Sequence, residues 1–385
     1  MEARKWLTQT TFSAELPLIN VSQAAPVSPP PLPLRQALAN AVLTDDTAHV
    51  YGNVLGLPEL REEIAAQWSL AYGGDIAAAQ VAITGGCNQA FCAAVSLLAK
   101  EGDGLIIPTP WYFNHKMWLD MQGIKAQVLP CQQDMLPDPE QAARLIKPNT
   151  RAILLVTPNN PTGAEYPAPL VRAFYALAKS RGLALIIDET YRDFDARNAA
   201  PHDLFSDQSW DDTLIHLYSF SKAYRLTGHR VGAMLASPSR LAEVEKFLDT
   251  VSICPNQLGQ RAALFGMQNL QSWLAGERLE ILDRRTAVTQ ACGALEGWKL
   301  LGAGAYFAYM EHPFKMPSDE LAQKLVQDAG VLLLPGSMFA PTIKQGGNGT
   351  AECQLRVAFA NIDRKGITEL FARLKRFSST QSLVT

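Results

Sequence analysis

The chain has 385 residues, of which 48% are hydrophobic and 18% charged, with a formal net charge of −3. That composition excludes a disordered chain and leaves room for two domains with sizeable cores. So small a charge gives no general electrostatic reason to bind nucleic acid or an anionic membrane, which makes small molecules the expected partners.

The N-terminal residues, MEARKWLTQTTFSAELPLIN, contain no apolar signal region, and no run in the chain reaches the roughly 18 apolar residues that span a bilayer. A cytoplasmic protein is expected. The proline-rich stretch APVSPPPLPL (25–34) predicts an extended arm, because proline lacks an amide donor and fixes φ. It leads into a first helix, LRQALANAV. A second helix is expected from Pro58, a residue suited to a first turn, to about Tyr72. Six short apolar runs follow: VAIT (81–84), GLIIP (104–108), AILLVT (152–157), LALIID (183–188), LIHLYSF (214–220) and VGAMLA (231–236). Strands apolar on both faces belong to a mostly parallel sheet that is covered on both sides. Helical segments such as CNQAFCAAVSLLAK and PAPLVRAFYALAKSRG, the second closed by Gly182, alternate with them. The pattern predicts a large α/β domain over residues 45–285. Beyond it, strands in AYFAYMEHP, VLLLPGSMF and QLRVAFAN interleave with a helix in SDELAQKLVQDAG. Residues 286–385 should form a smaller α+β domain with part of the N-terminal arm, residues 1–44. The six cysteines (Cys87, Cys92, Cys131, Cys254, Cys292 and Cys353) show no CxxC spacing, which argues against a zinc site or a disulfide framework.

In such a sheet, ligands gather beyond the carboxyl ends of the strands. TGGCNQ, TPWYFNH, TPNNPTG, DETYRDF and SFSK follow the first five runs in turn, so five polar loops should converge on one edge. Lys222, within SFSKAYRLTGHRVG, has Ser219, Ser221 and Arg230 for neighbours. These are donors suited to a phosphate, the arginine offering a bidentate fork. Gly86 and Cys87 add a glycine turn running into a helix, whose free amides bind anions. A phosphate held by these residues, beside an amine able to form a Schiff base, suggests pyridoxal 5′-phosphate. That cofactor needs an acid at its pyridinium nitrogen, and Asp188 at the end of LALIID is the candidate. Tyr191 or Asn160 could reach the phenolic oxygen of the ring.

TPNNPTG, DETYRDF and SFSKAYRLTGHRVG, in that order and spacing, resemble the fold-type I, class I and II aminotransferases related to aspartate aminotransferase. The resemblance runs from YGNVLGLPELR to LRVAFAN. It implies that Lys222 holds the cofactor as a Schiff base and shuttles a proton to and from the substrate Cα. It also implies Asp188 as the pyridinium partner, with Tyr191 and Asn160 at the ring oxygen. Tyr112 matches the aromatic that stacks on the ring, Trp111 being packing. Tyr51 matches a tyrosine that crosses a dimer interface to the partner's phosphate. Arg356 in LRVAFA matches the arginine that clamps the substrate α-carboxylate. Two departures stand out. Ala24 and Ala25 lie where relatives often place glycine near the substrate, and Cys87 stands where relatives often have a hydroxyl or lysine, leaving its amide as the phosphate donor.

The expectation is a cytoplasmic, homodimeric, pyridoxal-phosphate-dependent aminotransferase acting on amino acids and 2-oxo acids, with no nucleic-acid or membrane partner. A β-lyase of cysteine conjugates on the same fold, which begins with the same loss of the Cα proton, is the alternative. Aspartate-selective relatives use a second arginine, and the corresponding position falls near Asn256 in CPNQ. A donor other than aspartate is therefore expected, neutral, aromatic or equally basic, unless Arg261 or another distant arginine supplies the charge.

Overall fold

The computed structural model of the chain describes residues 2–8, 10–26 and 28–380. All six apolar runs form strands of one seven-stranded sheet. Its order is Val81–Thr84, Gly232–Leu235, Leu214–Ser219, Ala184–Asp188, Thr150–Val156, Gly104–Thr109 and Lys125–Pro130. Gly232–Leu235 runs antiparallel to both neighbours, and every other pairing is parallel. Ile153, Leu155, Leu185 and Ile187 face one core, and Leu154, Val156, Ala184 and Ile186 face another. Helices cover both faces, which is why these strands carry apolar residues at every position. The seventh strand, Lys125–Pro130, lies outside the expected set. It is an edge strand with Lys125 and Pro130 exposed, so it shows no unbroken apolar run.

The C-terminal strands build a second, antiparallel sheet in the order Leu334–Pro335, Gln354–Val357, Phe307–Glu311 and Lys299–Gly304, the last again absent from the expected set. The segment VLLLPGSMF is not one strand. Val331–Leu332 instead pairs with Ile19–Asn20 of the N-terminal arm, tying the chain's beginning to its end. A separate core gathers Phe307, Leu321, Leu325, Leu370 and Leu374 from this sheet, the helix Ser318–Ala329 and the closing helix Arg364–Thr380. The helix Gln271–Gly293 runs through residue 285 and sends Ile281 and Val288 into that core, so the expected domain boundary falls inside one helix.

One expectation about the arm needs correction. The helix Leu32–Thr44 starts within the proline-rich stretch, because Pro33 sits in a first turn whose amides have no partner in any case. Val27 of that stretch lies outside the described residues. Among the described residues no helix is long and apolar enough to cross a membrane.

Candidate active site

The five polar loops do meet at one edge of the large sheet, around a cavity of about 500 Å³. Of the expected site residues, all but Gly86, Arg356 and Tyr51 line it. Gly86 lies just behind the wall as the cap of the helix Cys87–Leu98, at φ 92, a conformation that favours glycine. A Cβ there would stand 2.4 Å from Arg230 Nη2. On the neighbouring strand, a Cβ at Gly232 would come 2.9 Å from the Cys87 nitrogen. The two glycines thus let a strand and a guanidinium close on the start of the helix, whose first amides have no intrahelical partner.

Arg230 Nη1 donates to Ser221 Oγ at 3.2 Å and to the Thr227 carbonyl at 2.9 Å, while Nη2 reaches the Gly85 carbonyl at 3.4 Å. Ser219 Oγ accepts from the Ser221 amide at 3.2 Å, which leaves its own proton free to donate. Guanidinium, hydroxyls and helix amides together make a cup for an anion.

Next to the cup, Lys222 Nζ donates to the Ala24 carbonyl of the N-terminal arm. Burial, together with the nearby cations Arg230 and Arg356, brings its pKa down to about 8. An amine so placed is unprotonated, and nucleophilic, in about a tenth of molecules at pH 7, a few hundredfold more than for an ordinary lysine. Asp188 ends the strand Ala184–Asp188 and is buried, with Oδ1 accepting from the Thr190 amide at 2.9 Å. His115 Nε2 stands 3.4 Å from Asp188 Oδ2. Burial pushes the Asp188 pKa up, but His115 and Thr190 outweigh it and hold the carboxyl below its usual range. Asp188 is the only carboxylate among the described residues of the cavity wall.

Arg356 sits behind Asn160, buried between Phe307 and Phe339 at 5.0 and 4.9 Å from their ring centroids. Its Nη1 donates to Asn160 Oδ1 at 2.8 Å, its Nη2 donates to the Ser22 carbonyl, and its Nε is buried without a partner. Burial lowers its pKa to about 10. Tyr191 is buried against Tyr306 and Phe307, with Lys222 Nζ 5.9 Å from its ring centroid. Tyr112 lines the cavity and accepts from Asn114 Nδ2 at 2.9 Å, whereas Trp111 is a buried packing residue. Tyr51 is outside the cavity and 77% exposed.

The residue missed by sequence reasoning is His115, in the first turn of the helix Phe113–Met121. TPWYFNH contains it, but its partner Asp188 lies far along the chain, and no spacing rule joins the two. Asn256 Oδ1 caps the helix Gln257–Asn269 by accepting from the Gly259 amide at 2.6 Å. Arg261 is engaged elsewhere in this chain, with Nε 2.6 Å from Asp45 Oδ2.

The residues present fit pyridoxal 5′-phosphate. The cup suits a phosphate, the depressed amine an aldehyde, the ionised Asp188 a protonated ring nitrogen, and the cavity has the size of a small-ligand site.

Comparison with known proteins agrees. Residues 16–374 match the family described as Aminotransferase class I and II. The aromatic aminotransferase ISS1 of Arabidopsis thaliana is 30% identical over 83% of this chain and 82% of its own length. The arginine–pyruvate transaminase AruH of Pseudomonas aeruginosa is 28% identical over 81% and 80%. Among solved structures, an aspartate aminotransferase of Thermotoga maritima superposes with a TM-score of 0.86 at 24% identity, covering 98% of this chain and 95% of that one.

Proposed function

This chain belongs to the class I and II aminotransferases, and we propose that it uses Lys222, Asp188 and Arg356 to move an amino group from a neutral or aromatic donor to a 2-oxo acid. Transamination and dependence on pyridoxal 5′-phosphate come with the family. When bound, the cofactor supplies an aldehyde that condenses with amines and a ring that takes up electrons when the Cα–H bond breaks.

The observation that carries the assignment of roles is the buried, pKa-depressed amine of Lys222 set between an anion cup and a lone carboxylate. Arg230, Ser219, Ser221 and the amides at Gly86 and Cys87 hold the phosphate. Asp188 keeps a proton on the ring nitrogen, and His115 orients its carboxylate. Asn160 and Tyr191 address the ring oxygen, and Tyr112 covers the ring. Lys222 anchors the cofactor and, once freed by the incoming amine, takes the Cα proton and returns it. Arg356 presents its unpartnered Nε and its fork to the α-carboxylate, which would displace the Ser22 carbonyl.

Donor choice follows from the charge of the cavity. Its cations are Lys222 and Arg230, both already assigned, with Arg356 behind Asn160, so a second carboxylate finds no partner among the described residues of the wall. Desolvating it unpaired would be costly, whereas a neutral side chain beside Ala24 and Ala25 meets no such penalty. The relatives' names divide among aromatic, aspartate and arginine substrates and do not decide the matter. In a screen of amino donors with product identification, kcat/KM for the best neutral or aromatic donor should exceed that for aspartate by about tenfold or more. A preference for aspartate would overturn this reading. Release of ammonia and pyruvate from a cysteine conjugate would favour the lyase alternative.

We also propose a cytoplasmic homodimer. Tyr51, Val50 and Leu43 are 77%, 60% and 82% exposed, an apolar patch that a second copy could cover while bringing Tyr51 to its phosphate cup. Light scattering should give about twice the 42.1 kDa chain mass. Tyr51→Phe should then weaken cofactor retention, and a monomer with full activity would refute the arrangement.

A further inference from the structure

Asp188 is followed by a second acid that the reaction does not use. Strand geometry turns successive side chains to opposite faces, so Asp188 points to the cavity and Glu189 into the core on the other face of the sheet. Glu189 is 0% exposed. Tyr72, the last residue of the helix Pro58–Tyr72, donates to its Oε2, His216 Nε2 lies 2.9 Å from the same oxygen, and His202 Nε2 stands 3.5 Å from Oε1.

A buried glutamate with two histidines invites a metal, but His202 argues against one. Its Nδ1 accepts the Leu204 amide at 3.2 Å, so the single proton of the neutral ring sits on Nε2. That nitrogen is a donor facing Glu189 and not a ligand. Burial keeps the His202 ring neutral, lowering its pKa to about 4. For Glu189, burial raises the pKa, but the hydrogen bonds from His216 and Tyr72 work against it and hold the carboxyl below its usual range. The cluster is therefore a carboxylate facing three donors from three separate parts of the chain.

The same short segment is held on this face at two more points. Arg192 stacks 4.0 Å from the Trp68 ring centroid and 4.7 Å from that of Tyr72, and Asp193 accepts from Tyr218 at 2.6 Å. The backbone closes between them, with the Glu189 amide donating to the Leu217 carbonyl at 2.9 Å and the Arg192 amide to the Glu189 carbonyl at 3.1 Å. Residues 189, 192 and 193 thus grip the core, while Asp188 and Tyr191 enter the cavity. A well-packed apolar side chain would stabilise the core at least as well as a buried charge, but hydrogen bonds fix direction.

We propose that Glu189 is a positioning residue for the reaction: its carboxylate, hydrogen-bonded by Tyr72 and His216 with His202 facing its other oxygen, fixes the turn that presents Asp188 and Tyr191. This rests on the roles given to those two residues above. The test compares Glu189→Gln and Tyr72→Phe with Leu60→Ala, a core truncation in the helix that carries Tyr72. Four quantities are read: melting temperature of the apoprotein, its dissociation constant for pyridoxal phosphate, kcat and KM, and the pH titration of the loaded protein's visible band. Glu189→Gln should lower kcat about 10- to 100-fold, with KM for the amino donor within about threefold of wild type, weaken cofactor binding, and shift the midpoint of the band's titration. Tyr72→Phe, which removes one donor only, should move the same readouts less far in the same direction, and it serves if Glu189→Gln does not fold. Leu60→Ala should lower the melting temperature alone. If both polar variants match Leu60→Ala in kcat and in the band's titration, the inference falls while the site reading stands. A wild-type protein that takes up no pyridoxal phosphate would bring down the site reading, and this inference with it.

Discussion

Lys222→Ala should lower kcat/KM by about 10⁴-fold or more, because in the roles proposed for Lys222 one substitution removes both the covalent anchor and the group that carries the Cα proton. The phosphate cup does not depend on that amine: Arg230, Ser219 and Ser221 are held by one another and by Thr227 and Gly85. The variant should therefore still bind pyridoxal phosphate, reversibly and without the yellow colour of the wild type. Borohydride reduction of the loaded wild type followed by peptide mapping gives the decisive reading, and a label on any other lysine removes the assignment. A pH dependence accompanies it. Only the neutral amine attacks an aldehyde, and Lys222 gains that form as the pH rises through about 8, whereas an unperturbed lysine does so above about 10. Covalent capture of the cofactor by the apoprotein should accelerate up to about pH 8 and then level off. Continued acceleration to pH 10 would mean that the lysine is not desolvated as its surroundings indicate.

What the sequence made legible, and what it hid, follows from how each signal arises. The six expected strands, five inner ones and the fully buried edge strand Val81–Thr84, are readable because burial on both faces demands an unbroken apolar run, and the site loops because polar residues at the carboxyl ends of such strands have a common edge to meet at. Lys125–Pro130 is hidden because an edge strand keeps partly exposed positions. The helix Arg364–Thr380 does carry a readable signal, since Ile367, Leu370, Phe371, Leu374 and Phe377 form one buried helical face. His115 and Glu189 belong to a third class. Each stands beside a site residue in sequence or space, yet its meaning comes from partners brought up by other strands and helices. Asn256 adds a local role that a count along the chain from Arg230 does not reveal: it caps a helix. Motif spacing reaches as far as local geometry does, and tertiary contacts lie beyond it.

Asp188→Ala should damage turnover far more than cofactor binding, because the carboxylate lies on a different loop from Arg230, Ser219 and Ser221, which are held by one another and by Thr227 and Gly85. Asp188 is held ionised by His115 and Thr190 despite its burial. A negative charge fixed in so dry a place favours a protonated ring nitrogen by several kcal/mol, and that proton is what lets the ring draw electrons from the breaking Cα–H bond. Its removal should cost about 10²- to 10⁴-fold in the single-turnover rate, or roughly 3 to 5 kcal/mol of barrier. The dissociation constant for pyridoxal phosphate should rise much less, since Arg230 and the serines still hold the phosphate. Asp188→Asn separates charge from shape: it keeps the side-chain volume and an acceptor for the Thr190 amide, so a loss close to that of alanine assigns the effect to the charge. Rates are to be measured at saturating cofactor, where weakened binding cannot masquerade as weakened chemistry. Near-normal single-turnover rates in both variants under that condition would mean that the ring nitrogen finds its proton elsewhere. His115, whose Nε2 stands 3.4 Å from Asp188 Oδ2, would then be the next residue to replace.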